Sequence, residues 1–185
     1  MQFSSNDIFI YGKIGIEKDD EPNRVSLEES EIISSHSIMK SIIDKIESGA
    51  DEINIYINSL TAEIEDILEL LAFIGLVDIP INVYCLGSIA SYSSWLLFLA
   101  SGKRYVARTA LIKTCDFIDS SGYMGQSEFE SYCSVRKIVR DSILERISNR
   151  SKLSVEDIEA FLFTPRIKSL STEELLNHGL IDEIL

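Results

Sequence analysis

The chain has 185 residues, 45% of them apolar and 25% charged, the make-up of a soluble globular protein with enough length for a proper core. Its formal net charge of -13 argues against nucleic acid and against anionic membrane surfaces, whose phosphates would repel it. The longest apolar run, Trp95 to Ala100, is far too short to cross a bilayer, and the opening residues Met1 to Asn6 are too polar for a signal peptide, so a cytoplasmic protein is expected.

In chain order, Asp7 to Gly12 reads as a first short strand, and the acidic stretch Glu17 to Ser30 around Pro22 as a loop. Apolar residues from Ile32 to Ile46 recur at helical spacing, which predicts a helix from about Leu27 to Ser48 stopped by Gly49. Glu52 to Ile57 alternates with period two and places Ile53, Ile55 and Ile57 on one face of a strand. Thr61 is the expected N-cap of a helix whose stripe is Ile64, Ile67, Leu68, Leu71 and Ile74. Pro80 to Leu86 is the next strand, and the run from Ser91 to Ala100, apolar nearly all round, predicts a buried helix with Trp95 and Phe98 in the core.

Two short strands, Arg104 to Ala107 and Ala110 to Thr114, are expected next. Ser127-x-x-Glu130 reads as a capping box opening a long helix to about Asn149, with Phe129, Tyr132, Val135, Ile138, Val139, Ile143 and Ile147 on its apolar side. Ser154-x-x-Asp157 and Ser171-x-x-Glu174 mark further helix starts, Gly179 ends the last helix, and Leu180 to Leu185 is expected to be a terminal strand. Strands alternating with helices imply right-handed crossovers and a parallel sheet, hence one α/β domain over residues 1–185. Three cysteines without metal-ligand spacing, Cys85, Cys115 and Cys133, read as reduced core thiols, and no metal or cofactor is expected.

Two segments carry the chemistry. Asn58-Ser59-Leu60-Thr61-Ala62 and Gly87-Ser88-Ile89-Ala90-Ser91-Tyr92 each run from a strand through a turn into a helix, and the second brings Ser91 to a helix start. An acyl-transfer nucleophile sits in such a place, with amide groups nearby to hold an oxyanion. A serine at a helix start is equally a cap, and both readings stay open. The two histidines, His36 on the first helix and His178 beside Gly179, are read as structural rather than as a base for Ser91.

With these elements placed, the chain resembles ClpP, the proteolytic subunit of the Clp protease, a serine peptidase family with a crotonase-like fold. Ile55-Tyr56-Ile57-Asn58-Ser59 matches the family's YINSPGG segment, and Gly87 to Ser91 its GMAAS nucleophile segment. Gly102-Lys-Arg-Tyr105 matches GKRF, Gly122-x-x-Gly125-Gln126 resembles the start of the handle, and Leu170-Ser171 with Gly179-Leu-Ile-Asp182 matches the C-terminal pattern. The resemblance implies a ClpP/crotonase-like single domain of repeated β-α units with a protruding handle helix, at about 116–149.

Carried over residue by residue, it places the nucleophile at Ser91 and the oxyanion donors at Ala62 and Tyr92. It places Cys115 where the family has its histidine once one residue is deleted before Gly102; an ungapped count lands on Asp116. Ile167 falls in the aspartate's position, and Thr61 and Ala62 replace the glycines of the oxyanion turn. Serine is a poor nucleophile without an adjacent base and an orienting third group, so peptidase activity is expected to be absent or strongly impaired. Lys113, two residues from Cys115 on the same strand face, offers an unconventional base and with it the alternative of an active serine hydrolase.

The resemblance also implies a ring-forming homo-oligomer stacked through the handle, or a mixed ring with an active ClpP in which this chain is regulatory. Family members dock onto unfoldase ATPases through a longer segment before the first strand. Here that strand begins near Asp7, which puts such docking in doubt.

Overall fold

A computed structural model describes residues 4–15, 32–114, 116 and 125–185. The expected loop over residues 17–30 lies outside the described residues, as do Cys115 and the Gly122 turn. The first elements are β1 (Asp7–Tyr11), β2 (Lys13–Ile14), β3 (Ile32–Ile33), α1 (Ser35–Glu47), β4 (Ile53–Ser59) and α2 (Ile64–Ile74). They are followed by β5 (Ile81–Ala90), α3 (Ser93–Phe98), β6 (Arg104–Val106), β7 (Leu111–Thr114) and α4 (Gln126–Ser148). The last are α5 (Val155–Leu162), β8 (Lys168–Leu170), α6 (Thr172–Asn177) and β9 (Glu183–Ile184). The alternation of strand and helix, and the mixed α/β class with it, is as expected from the chain's periodicity.

The main sheet runs β1-β4-β5-β6-β9, all parallel, with β7 added to β5 and β8 added antiparallel to β7. Strand β5 is the long one, and it changes partner along its length. Val83 to Cys85 pair with β6, whereas Ser88 to Ala90 pair with β7. On its other side the register with β4 slips between Ile57 and Ser59. Asn58 bridges that slip: its Oδ1 accepts the Ser88 N–H at 2.9 Å. A Cβ at Gly87 would come within 3.0 Å of the same oxygen, which is why the strand carries glycine there. The rerouted half of β5 is what delivers Ser91.

Ile8, Ile10, Ile53, Ile55, Ile57, Ile81, Val83 and Cys85 fill the helix-covered face of the sheet. Burial pushes the Cys85 thiol up to about 12. The opposite face carries a cross-strand row of rings, Phe9, Tyr56, Tyr84 and Tyr105, in register, with centroid separations of 5.1, 4.7 and 4.4 Å. Arg104 is buried and is met by Asp182, whose carboxylate accepts its Nε at 3.0 Å and Nη2 at 2.7 Å. That pair fastens the last strand to β6.

Several boundaries differ from the sequence expectation. Helix α1 starts at Ser35 on the Ser34 cap, because Ile32 and Ile33 pair with β2 instead of extending the helix. Thr61 does not cap α2, whose cap position is Glu63 without a side-chain bond; the Thr61 carbonyl instead accepts Ile14 N–H and Ser59 Oγ. Ser127 lies inside α4, which opens at Gly125 with no side-chain cap. The expected boxes at Ser154 and Ser171 do cap α5 and α6. Strand β8 was not anticipated. The C-terminal third of α4 buries Ile143, Leu144 and Ile147, while Phe129, Val135 and Ile138 are exposed. Cys133 is exposed on that helix, not a core thiol.

Candidate active site

Ser91 stands between the end of β5 and the start of α3 with φ 55, the one non-glycine residue in the left-handed region among those described. For a side-chain-bearing residue that conformation costs roughly 1–3 kcal/mol and must be held in place by its surroundings. The hold is visible. Its N–H donates to the Lys113 carbonyl at 3.2 Å, and its carbonyl accepts the Ser94 N–H at 3.1 Å and Ser94 Oγ at 2.7 Å. Ser93 Oγ is committed to the Ser59 and Ala90 carbonyls, both at 2.6 Å. Of the three serines, only Ser91 keeps a side chain without a hydrogen bond among the described residues. The capping alternative is thereby corrected: the N-cap of α3 is Tyr92, and Ser91 makes no cap bond.

Ser91 lines a cavity of about 340 Å³. The segment from Leu60 to Glu65, Lys113 and Thr114 at the end of β7, Tyr92 and Ile167 line it. Arg136 reaches in from α4 and meets Glu65 at 3.4 Å. The sequence-derived positions Ser91, Ala62, Tyr92, Ile167 and Lys113 therefore converge on one space. Cys115 lies outside the described residues. Asp116, the ungapped alternative, is turned toward α4, where its carboxylate accepts Arg140 Nε at 3.3 Å.

Neither histidine lines this cavity. His36 is exposed on α1, and His178 follows α6 with its ring edge-on to Phe161 at 4.8 Å. Ile167 is 65% exposed and brings no charge to the position where the resemblance asks for a carboxylate. Thr61 and Ala62 are not left-handed, so the turn that replaces the family's glycines follows an ordinary path. A backbone bridge from Ile14 to this turn uses the Thr61 carbonyl and the Glu63 N–H, and it leaves the Ala62 amide over.

Sequence reasoning did not find two wall residues. Thr114 is 4% exposed and its Oγ1 has no hydrogen-bond partner among the described residues. Period-two alternation with Ile112 would have placed it on the buried side of β7. Arg136 gave no local signal, because it enters from a helix far along the chain. Chemically, the cavity offers a presented hydroxyl, an amine and an amide, with no imidazole beside them among the described residues. Among those residues there is also no cluster of side chains suited to a metal ion, and no helix long and apolar enough to cross a membrane.

In comparison with known proteins, the family model described as Clp protease matches residues 23–185.

Proposed function

The chain belongs to the Clp protease family, a family of serine-type peptidases with the α/β fold seen here, and we propose that it is a ClpP-like proteolytic-subunit homologue with absent or strongly impaired catalysis. In this reading residues 1–185 form one ClpP-like domain with its handle at about 116–149. The chain acts as an oligomeric or regulatory subunit in the cytoplasm. Family members typically form rings, and this chain assembles with itself or with an active ClpP.

The observation that carries the reading is the cavity at Ser91. The hydroxyl is presented by a strained backbone, yet the wall holds Lys113, Thr114 and Ile167 and no imidazole. Without a positioned base, a serine loses several orders of magnitude in rate. The exposed apolar residues of α4, Val135 at 59% and Ile138 at 70%, support assembly through the handle. The exposed free thiol of Cys133 fits a reducing compartment.

Lys113 favours a second reading, an active serine hydrolase in which its amine takes the Ser91 proton. It lines the same cavity and has no ion pair among the described residues. A fluorophosphonate probe separates the two. Slow or absent labelling, with no peptide turnover, is expected for the first. Stoichiometric labelling lost in both Ser91→Ala and Lys113→Met would establish the second. Mixing with an active ClpP and resolving the products by native mass spectrometry tests the regulatory role; separate homo-oligomers would exclude a mixed ring.

A further inference from the structure

The Ser91 cavity is rich in donors and short of free acceptors. Its two carboxylates are already engaged: Glu63 meets Lys13 at 2.6 Å, and Glu65 meets Arg136 at 3.4 Å. Lys113 is left without an acidic partner among the described residues, in a protein whose formal net charge is -13. A lysine without an acidic partner gives its surroundings a local positive potential that favours one negative charge, against the negative field of the molecule as a whole. Thr114, the next residue of β7 and part of the same lining, is 4% exposed, and its hydroxyl has no hydrogen-bond partner among the described residues. A buried orphan hydroxyl is destabilising, and natural structures keep such groups mainly where a ligand or a rearrangement satisfies them. The Ala62 amide and the Ser91 hydroxyl complete the set, neither with a partner among the described residues.

Part of the remaining lining is apolar. Leu60, Ile64 and Ile167 form the walls around those donors, and the volume of about 340 Å³ lies at the small end of the range for ligand cavities. We propose that this cavity binds the carboxylate of a short, apolar-ended ligand: the anion lies between the Lys113 ammonium and the Ser91 and Ala62 donors, and the chain lies along the apolar wall. Rotation of the Thr114 side chain about its Cα–Cβ bond turns its hydroxyl toward the bound anion and ends its isolation. One unpaired lysine matches one negative charge, which selects a carboxylate over a phosphate monoester carrying nearly two. The proposal rests on the reading that Ser91 does not turn over peptides, since a working hydrolase would bind the neutral scissile bond here instead.

The source of the carboxylate is a peptide C terminus or a free short-chain acid, and the experiment separates them. The intact chain is titrated calorimetrically with an N-acetyl dipeptide ending in leucine, with the same peptide as its C-terminal amide, and with octanoate. The free acid is expected to bind about tenfold or more tightly than the amide, the worth of one charge-assisted hydrogen bond, and to lose that preference in high salt. Octanoate binding as tightly as the peptide identifies the ligand as any apolar carboxylate; binding of the peptide alone identifies a C terminus.

Lys113→Met is expected to abolish the difference between acid and amide, and Lys113→Arg to keep most of it. Thr114→Val is expected to melt no lower than the parent and to bind the acid several-fold more weakly. Equal binding of acid and amide, no binding of either, or a preference that survives Lys113→Met would overturn the proposal. Mass spectrometry of the same samples reports cleavage separately. Hydrolysed peptide would sink the impaired-catalysis reading, whereas the acid preference stands or falls on the titrations alone.

Discussion

The Ser91 N–H donates to the carbonyl of Lys113 at 3.2 Å, so the presented serine and the cavity's lysine belong to one hydrogen-bonded unit of adjacent strands. The bond exists because the end of β5 leaves β6 and joins β7. It holds the chain at the residue where φ turns positive.

Ser91→Gly is expected to stabilise the fold by about 1 kcal/mol, because glycine meets φ 55 without the penalty a Cβ brings. Ser91→Ala keeps the Cβ and should gain nothing comparable. Urea titrations of the two variants decide it; a Gly variant no more stable than the Ala variant would mean that the left-handed turn stores no strain.

Restoring Cys115→His together with Ile167→Asp is expected to raise peptidase turnover above that of the parent chain, with Ile167→Asp alone silent. Ile167 is 65% exposed and already at the cavity, so a carboxylate there carries little desolvation cost. Hydrolysis of a fluorogenic peptide measures it. No gain in the double variant would place the defect in the oxyanion turn at Thr61 and Ala62.

Ile138→Asp on α4 is expected to change the stability of the folded chain by no more than about 0.5 kcal/mol, since the residue is 70% exposed. It should shift the particle-size distribution in sedimentation velocity toward smaller species. An unchanged distribution would remove that face of the helix from the assembly.

Asp182→Asn is expected to cost about 2 kcal/mol at neutral pH, because Arg104, with 6% of its side chain exposed, loses its counter-charge; the 37% exposure of Asp182 keeps the loss below that of a fully buried pair. The hydrogen bonds from Arg104 hold the Asp182 carboxyl below the usual range. Its contribution is therefore present above the unfolded aspartate value near ~3.9 and disappears as pH falls through the lower folded value. Denaturation across pH 2–6, compared with the Asn variant, should show the two curves converging at the acid end.

Gly102→Ala is expected to destabilise by about 2 kcal/mol or more, since a Cβ would run into the Asn82 side chain and the Ile81 carbonyl group. Thermal melting reports it directly, and an unchanged melting temperature would mean that this backbone moves aside without cost.

The strands and most helices were legible because their signals are local. Ile53, Ile55 and Ile57 alternate, Ser171 and Glu174 sit three apart, and each pattern became the element it predicts. The misses share a cause. The helical spacing at Ile32 and Ile33 and the capping chemistry of Thr61 were both sound local readings. Each was overridden by a partner far along the chain: β2 claims the isoleucines, and Ile14 claims the Thr61 carbonyl. At the site, Ser91, Ala62, Tyr92 and Ile167, which motif order singles out, line one cavity, but nothing local marked Thr114 or Arg136 as neighbours.

By itself the order of residues settled the α/β alternation, the strand on which Ser91 arrives and the absence of histidine from the chemistry-bearing segments, since periodicity and identity need only near neighbours. Tertiary pairing decided the rest: the partner switch of β5, the left-handed backbone at Ser91, the engagement of both cavity glutamates and the stranded hydroxyl of Thr114. Those outcomes depend on which distant groups compete for the same donor, acceptor or charge, and that competition is resolved only when the strands are in register.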